Sequence, residues 1–245
     1  MDRGIWASWY DLADESRERY LDWAHGTYLP FLKQVAGYAW VAHYRHQGGG
    51  AKMKKVEATV VGHTTDDIGN GTQYLVLVGA PSPHTFFRPT TRELALPDGF
   101  GKMLALRSGV REVIFAEEAR VNGPAAYNEG PGSVPGPAIQ MGSFRMRNYE
   151  QEFDLARWYA QFRMPYMAQM PGCVGTRKLL GVAGWAKHGV LYEFESLEMR
   201  LKHFEEPHES LSLDSTHWSA SITGNTVHTP GSPTIGTRIW PPVRG

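Results

Sequence analysis

The stretch that decides the fold reads WAHGTYLPFLKQVAG at residues 23–37 and returns as WYAQFRMPYMAQMPG at residues 158–172. The match extends without gaps over residues 8–37 and 143–172, at a constant offset of 135 positions. The identical pairs are Ser8/Ser143, Glu15/Glu150, Trp23/Trp158, Pro30/Pro165, Gln34/Gln169 and Gly37/Gly172. Similarity at one fixed spacing indicates an internal duplication, and we expect the shared positions to serve the fold.

Each copy predicts the same order of elements around this stretch. Aromatic-rich runs predict strands at 4–11, 38–45, 73–78 and 111–120, and again at 138–147, 173–180, 190–196 and 234–239. A helix should follow the first strand of each copy. In the first copy its buried face should carry Tyr20, Trp23, Thr27 and Phe31. A proline inside each of these helices should kink it, because proline has no backbone N–H to donate.

The order β-α-β-β-α-β therefore occurs twice, which predicts an α+β fold of two tandem ferredoxin-like repeats. Two such sheets can cover each other's open face by packing together, and we expect a cavity between them. The predicted division is a first repeat at 1–121, a linker at 122–137 and a second repeat at 138–245. A second helix is visible at 197–204, whereas several prolines obscure its counterpart in the first repeat.

Two further stretches lie outside the repeat. Three consecutive glycines at 48–50, followed by the lysine-rich run 52–55, predict a mobile hairpin or loop. The Ser/Thr/Gly-rich tail at 219–233 predicts a loop over the mouth of the cavity.

Composition sets limits on the function. Twenty-five basic residues balance 25 acidic ones in a chain of 245, so no strongly basic field is available for nucleic acid or an anionic membrane. No apolar run is long enough to span a bilayer, and we expect a soluble, cytoplasmic protein. The single cysteine, Cys173, excludes an internal disulfide and a cysteine-rich zinc site. The histidine and carboxylate spacings give little support for any metal site.

The run from Trp23 through Pro30 to Gly37, after an aromatic strand, resembles the dimeric α+β barrel superfamily and within it the EthD-like group. The ending Pro171-Gly172 of the second copy resembles that group more closely, but Ala160 stands where the first copy has His25. The resemblance implies two repeats packed sheet to sheet as one barrel. Its activities range from cofactor-free oxygenases, isomerases and lyases to haem enzymes, so it implies a fold rather than a reaction.

Polar positions that differ between the copies are free to serve one site. These pairs are Tyr10/Arg145, His25/Ala160, Tyr28/Arg163 and His43/Lys178. Strand alternation places Tyr10 on one face with Trp6 and Ser8, and a face with such polar groups is costly to bury. We therefore expect Tyr10, His43 and Arg145 to line the cavity between the sheets.

These residues predict a cofactor-independent lyase that acts on an aromatic, phenolic small molecule and releases a one-carbon unit. His25 or His43 would move the proton, because a neutral imidazole accepts protons near neutral pH. Tyr10 would hydrogen-bond the phenol, and Arg145 would hold the anion. The walls of the cavity would be aromatic, formed by Trp6, Trp9, Trp40 and Tyr44.

Three alternatives stay open at this stage. A duplicated barrel similar to chlorite dismutase would bind haem, with His188 and His203 as candidate axial ligands. A cofactor-free EthD-like oxygenase or isomerase would use the same residues in a different reaction. A non-catalytic protein would bind a ligand without turnover. In each case the chain can pair further into a homodimer.

Overall fold

The computed structural model describes residues 2–126 and 133–243. The first half contains β1 (Gly4–Leu12), α1 (Asp14–Trp23), α2 (Leu29–Gln34), β2 (Trp40–His46), α3 (Ala51–Thr59), β3 (Gly62–His63), β4 (Tyr74–Ala80), α4 (Phe100–Leu104) and β5 (Arg107–Asn122). The second half contains β6 (Ala138–Met146), α5 (Glu150–Trp158), α6 (Met164–Met167), β7 (Cys173–Ala183), β8 (His188–Phe194), α7 (Leu197–Arg200), α8 (Trp218–Gly224), β9 (Thr226–His228) and β10 (Thr234–Trp240). Both repeats have the predicted strand order. The predicted linker at 122–137 includes residues 127–132, which lie outside the described residues.

Eight antiparallel strands close into a barrel in the order β10-β2-β4-β1-β5-β7-β8-β6, with β6 returning to β10. Each repeat supplies a four-stranded sheet, and the two sheets join where β5 pairs with β7 and β10 pairs with β2. Closure removes the free edges that a lone four-stranded sheet would expose. The predicted α+β fold of two ferredoxin-like repeats is confirmed.

The interior of the barrel is an apolar core that draws on both repeats. It contains Ile5, Ala7, Trp9, Trp40, Ala42, Tyr44, Leu75, Leu77, Val113, Phe115, Ile139, Met141, Leu179, Ala186 and Leu191. Gly79 on β4 lets the indole of Trp40 lie flat across the sheet, because a Cβ at that position would clash with the ring. The expectation of a cavity between the sheets is therefore wrong, since large side chains fill this space.

The helices pack on the outer faces of the two sheets. Each long helix widens into a π-helical turn just before its proline, at Ala24–Tyr28 and at Tyr159–Arg163. The wider turn accommodates the missing proline N–H and shifts the helical phase. As a result Ala24 and Tyr28 are buried, while Thr27, predicted on the buried face, is exposed.

The run after the three glycines is not a loop but the helix α3. Met53 and Val56, one helical turn apart, are buried against Ile235. The carboxylate of Glu205 accepts from the first backbone N–H groups of α3, at 2.9 Å from Gly50 N and 3.0 Å from Met53 N. Sequence patterns do not reveal this helix, because its start is glycine-rich and its N-terminal N–H groups are capped by a residue 152 to 155 positions away along the chain.

The predicted loop at 219–233 is also partly regular. Residues 218–224 form α8, which packs beside α5, and residues 226–228 form β9, which pairs with β6 in the sheet. The second helix of the second repeat runs through α7 into a π-helical turn at Leu201–Glu205. In the first repeat the equivalent connection contains a 3₁₀ turn at Pro83–Phe86 and the five-residue helix α4.

The strand registers correct the gapless alignment of the repeats. His43 on β2 and Lys178 on β7 occupy equivalent places in their sheets. Relative to these, β6 sets Phe144 at the place that Tyr10 occupies on β1. The pairing of Tyr10 with Arg145 is thus wrong by one residue, and a shift of one residue turns a side chain to the opposite face.

Candidate functional site

Three polar side chains form a hydrogen-bonded chain between the first sheet and its helix. The hydroxyl of Tyr10 lies 2.8 Å from Nε2 of His43, and Nδ1 of His43 lies 2.9 Å from Nε2 of His25. Tyr10 and His43 belong to β1 and β2, and His25 belongs to the π-helical turn. The structure brings together all three predicted catalytic residues, although not in the cavity expected between the sheets. We call this group the relay.

Local structure explains why these residues meet. On β1 the even-numbered positions face the helix, and on β2 the odd-numbered ones do. The π-helical turn rotates His25 toward the sheet, next to the buried Ala24 and Tyr28. A face with a tyrosine and a histidine can be buried under a helix because the two groups satisfy each other, which the expectation from strand alternation did not allow for.

Burial keeps the inner part of the relay neutral. Tyr10 and His43 are fully buried. Burial raises the pKa of the Tyr10 hydroxyl well above its usual value. Burial also lowers the pKa of His43 far below its usual value, and the positive charges of His25 and Arg107 add to the effect. A proton gained by the relay is therefore not held on His43.

His25 is the part of the relay that solvent can reach. Its side chain is half-buried, and burial lowers its pKa although the carboxylate of Asp22 opposes the shift. Its Nε2 faces His43, while Nδ1 has no hydrogen-bond partner among the residues that the structure describes. A neutral imidazole with one nitrogen oriented and the other free has the arrangement of a general base.

Aromatic side chains surround the relay. The rings of Tyr20 and Tyr74 lie 5.6 and 5.5 Å from the ring of Tyr10. On the helix that carries His25, the rings of Trp23 and Tyr28 stack at 5.4 Å. Trp23 is half-buried, so this part of the cluster offers an apolar face to a flat ligand.

The predicted aromatic walls lie elsewhere. Trp9, Trp40 and Tyr44 belong to the barrel interior, where their polar atoms bind within the protein. Nε1 of Trp9 donates to Oγ1 of Thr234 at 2.8 Å, and Nε1 of Trp40 donates to Asp2 at 2.6 Å. These side chains fill the core because closure of the barrel turns their face inward.

Two other predicted residues are also separate from the relay. Trp6 lies on the helix-facing side of β1, where its Nε1 donates to Glu112 at 3.2 Å and its ring lines a surface pocket with Phe86. Arg145 is exposed at the end of the barrel, where its guanidinium covers the ring of Trp185 and Nε donates to the Trp185 carbonyl. The expectation that Arg145 lines one cavity with Tyr10 and His43 is wrong.

The second repeat carries a different polar group at the equivalent place. Nζ of Lys178 lies 3.0 Å from Nδ1 of His188, whose Nε2 lies 2.6 Å from the carboxylate of Glu152. Burial and the charge of Lys178 lower the pKa of His188 to about 4. Sequence reasoning missed this group, since only the pair His43/Lys178 pointed to it.

This arrangement does not suit haem. Both ring nitrogens of His188 are held in hydrogen bonds, so the imidazole is not available as an axial ligand. The cavity of the second half, about 70 Å³ in volume, is lined by neither His188 nor His203. Among the described residues no group of three or more His, Cys, Asp or Glu side chains is placed to hold a metal ion.

Comparison with solved structures identifies the fold. A candidate monooxygenase from Lactobacillus acidophilus matches with a TM-score of 0.50 and 10% identity, over 98% of this chain and 94% of that one. An anthrone oxidase-like protein matches with a TM-score of 0.53 and 12% identity, over 97% and 90% of the two chains. A candidate monooxygenase from Fusobacterium nucleatum matches with a TM-score of 0.58 and 8% identity, over 97% and 93%.

The protein thus has the dimeric α+β barrel fold, with both repeats in one chain. No family model matches the sequence, and no curated protein is similar enough to count as a match. Identities this low establish the fold alone, and the EthD-like resemblance stays a prediction. None of the helices in the described parts of the chain is long and apolar enough to cross a membrane.

Proposed function

We propose that this protein is an acid–base enzyme that acts on an aromatic, phenolic small molecule without a cofactor. The observation that carries the proposal is the relay, in which two buried groups orient one half-buried histidine. Burying a tyrosine and two histidines in contact costs free energy, whereas apolar residues of similar volume would need no hydrogen-bond partners.

His25 is the proposed base, and His43 and Tyr10 are the proposed positioning residues. His43 and Tyr10 have no exposure to solvent, so a substrate reaches only His25. When Tyr10 accepts from His43, the hydrogen bonds require Nε2 of His25 to be protonated and Nδ1 to be free to accept a proton. When Tyr10 donates instead, Nδ1 of His25 carries a proton that it can give back.

A phenolic substrate suits such a site. Its ring can stack on the half-buried Trp23 of the same helix, and its conjugated system can take up an electron pair. We propose that the bond to a one-carbon substituent breaks, that its electron pair passes into this system, and that carbon dioxide or formaldehyde leaves. The hydroxyl proton of a hydroxymethyl group passes to His25, which then delivers it to the ring carbon that the substituent has left. A carboxylate brings no proton at neutral pH, so in that case His25 takes the proton from water before it delivers it to the ring carbon.

Oxygenation is the second candidate, because the similar structures are described as monooxygenases and as anthrone oxidase-like. The same base would remove a proton from an acidic ring carbon of the substrate. The resulting carbanion would bond to molecular oxygen; one oxygen atom would remain as a carbonyl on that carbon, and the other would leave as water with the two hydrogens the carbon has lost. Both reactions begin with proton transfer to His25, and they differ in whether oxygen is consumed.

The experiment is a screen of phenolic carboxylates, hydroxymethyl phenols and anthrone, with and without oxygen. The lyase releases carbon dioxide or formaldehyde in the absence of oxygen, whereas the oxygenase consumes oxygen in step with the substrate. The H25A variant should lose at least about tenfold in turnover in either case. Affinity without turnover for every compound would overturn the proposal in favour of a binding protein. An intense violet absorption band of the purified protein would overturn it in favour of haem.

A further inference from the structure

The second half contains a cavity that the proposed reaction does not use. It lies between the outer face of the second sheet and the helix α5 with its π-helical turn, and its volume is about 70 Å³. One water molecule needs roughly 10–15 Å³ on this measure, so the cavity can hold a molecule of several atoms. We call it the second-half cavity.

Besides the sheet and α5, the cavity is lined by three elements that the duplication does not explain. Met53 and Val56 come from α3, Ile222 and Thr223 from α8, and His228 from β9. Three separate additions to the repeat thus converge on one space. Additions that served only to cover the sheet would be expected to fill it with side chains, as the barrel interior is filled.

Two buried N–H donors that line the cavity have no acceptor. Nε of Arg163 and Nε1 of Trp158 make no hydrogen bond within the described residues, and both side chains are 3% exposed. Buried donors are almost always paired, so two in one cavity mark a place where something else supplies the acceptor.

The guanidinium of Arg163 is held in a way that keeps one edge open. Its Nη1 donates to Glu209 at 3.0 Å, and its face covers the ring of Trp158 at 4.5 Å. The edge formed by Nε and Nη2 makes no hydrogen bond to a described residue. This is the edge through which arginine binds a carboxylate or a carbonyl group with two parallel hydrogen bonds.

A third donor completes the polar side of the cavity. The amide oxygen of Gln140 accepts from Nε and Nη2 of Arg200, which fixes the amide and leaves its nitrogen as a donor. Most of the remaining lining is apolar or aromatic, with Phe144 and Val190 among its members, and its other polar members are Glu209, Thr223, Thr226 and His228. Glu209 is paired with Arg163, and His228 bonds to Ser232 and Thr226. The site therefore combines unpartnered N–H donors with a mainly hydrocarbon surface.

We propose that the second-half cavity is a binding site for a small molecule that presents a carboxylate or carbonyl oxygen to Arg163 and Trp158. Arg163 and Glu209 together carry no net charge, so the site accepts a neutral carbonyl as well as an anion. The small volume and the mainly apolar lining suit a short hydrocarbon group as the rest of the ligand. This site is separate from the relay, which lies in the first repeat.

The test uses acetate and acetamide as probes, because they have the same shape and differ in charge. Thermal unfolding of the full chain should shift to higher temperature in a saturable way with at least one of them, and chloride at equal ionic strength should have no such effect. Saturation with acetate alone, with acetamide alone or with both supports the proposal and shows whether the ligand carries charge.

The variant W158F removes one donor and keeps the aromatic ring, so it should weaken binding about five- to tenfold. The matched control is W218F, because Nε1 of Trp218 already donates to Asp154 at 3.1 Å. A crystal structure with the probe should show its oxygen within hydrogen-bond distance of Nε of Arg163. Absence of saturable binding, equal affinity in W158F, or ordered water that the probes do not displace would overturn the proposal. Turnover by the relay is unaffected by these outcomes.

Discussion

Nε2 of His25 lies 2.9 Å from Nδ1 of His43, so a fully buried imidazole orients a half-buried one. The inner ring is neutral because burial lowers its pKa, and it is in turn held by the Tyr10 hydroxyl. The outer ring is half-buried, and its Nδ1 has no hydrogen-bond partner among the described residues. The first two predictions follow from this division of roles.

Replacing His25 by glutamine should lower turnover on the phenolic substrate at least about tenfold, because the amide cannot accept the proton. The substrate KM should change little, since stacking on Trp23 is retained. Steady-state kinetics measure both constants. H84Q is the control, because His84 is exposed after β4. Equal loss in both variants would contradict the role of His25.

Replacing His43 by phenylalanine should lower kcat about tenfold while His25 is still present, because His25 loses the bond that fixes its tautomer. H43N should restore part of the rate, since its amide can still bond to His25. H43F should also shift the pH profile of kcat. Tyr10→Phe should shift it in the same direction but less, because Tyr10 acts on His25 only through His43. If His43 only supports the structure, H43F and H43N should be less stable and the pH profile of kcat should stay unchanged.

Stability should fall on acidification from pH 7 to 5. Burial lowers the pKa of His208 to about 2 and that of His228 to about 3. In the unfolded chain these two histidines have a pKa near 6.5, so below that pH they bind more protons than in the folded protein. Each such histidine therefore lowers the free energy of unfolding by up to about 1.4 kcal/mol for each pH unit of acidification.

The variant H208F tests this slope, because it removes one titrating group and keeps a ring to stack on Tyr166, which lies 3.8 Å from the ring of His208. Urea unfolding at pH 7 and pH 5 should show a pH slope smaller by about 1 kcal/mol per unit. An unchanged slope would mean that His208 does not stay neutral in the folded protein.

Asp2 holds a charged network inside one end of the barrel. Its carboxylate lies 2.6 Å from Nη1 of Arg177 and 2.8 Å from Nη2 of Arg120. Although burial opposes it, Arg177 and the hydrogen bonds lower the pKa of Asp2 to about 2. Replacing Asp2 by alanine should lower the free energy of unfolding by about 3 kcal/mol, because it leaves a buried arginine short of a partner.

The control for Asp2 is D14A, which breaks an exposed ion pair to Arg17 and should cost less than about 1 kcal/mol. Urea unfolding at pH 7 compares the two variants. As the pH falls toward 2, Asp2 becomes protonated in the folded protein too, so its contribution and the difference between the variants should disappear.

Glu205 connects α3 to the second repeat. Besides the two N–H groups of α3, its carboxylate binds Nη1 of Arg200 at 2.6 Å, and it is fully buried. Glu205→Ala should lower the free energy of unfolding by about 3 to 5 kcal/mol and speed amide exchange over residues 51–59. Its exposed neighbour provides the control, E206A. Equal exchange in both variants would contradict the capping role.

Much of the fold could be predicted because the information is local and repeated. Strand alternation, the shared Trp23/Trp158 and the two prolines fall in both copies, and a pattern seen twice is hard to obtain by chance. Where the information was not local, prediction was wrong. The helix α3 depends on a carboxylate from the other repeat, and Arg145 was misplaced by a single residue of register.

The candidate site was predicted in its residues but not in its place. Tyr10, His25 and His43 were selected because the second copy lacks them, and they do meet. Their surroundings could not be predicted, since alternation separates two faces of a strand without saying which is covered by a helix and which by another sheet. Little in the sequence indicates the second-half cavity. The one indication is that Arg163 stands where the first copy has Tyr28.

The sequence by itself determined the duplication, the order of the strands and the residue types that differ between the copies. Only the tertiary structure decided which face of each sheet is the barrel interior, because that depends on β10 returning to β2 and β5 meeting β7 across the two repeats. Once those pairings closed the barrel, Trp9 and Trp40 had to fill it, and the relay had to lie under the helix. Periodicity along a chain is a local property, whereas closure depends on contacts between residues that are far apart in sequence.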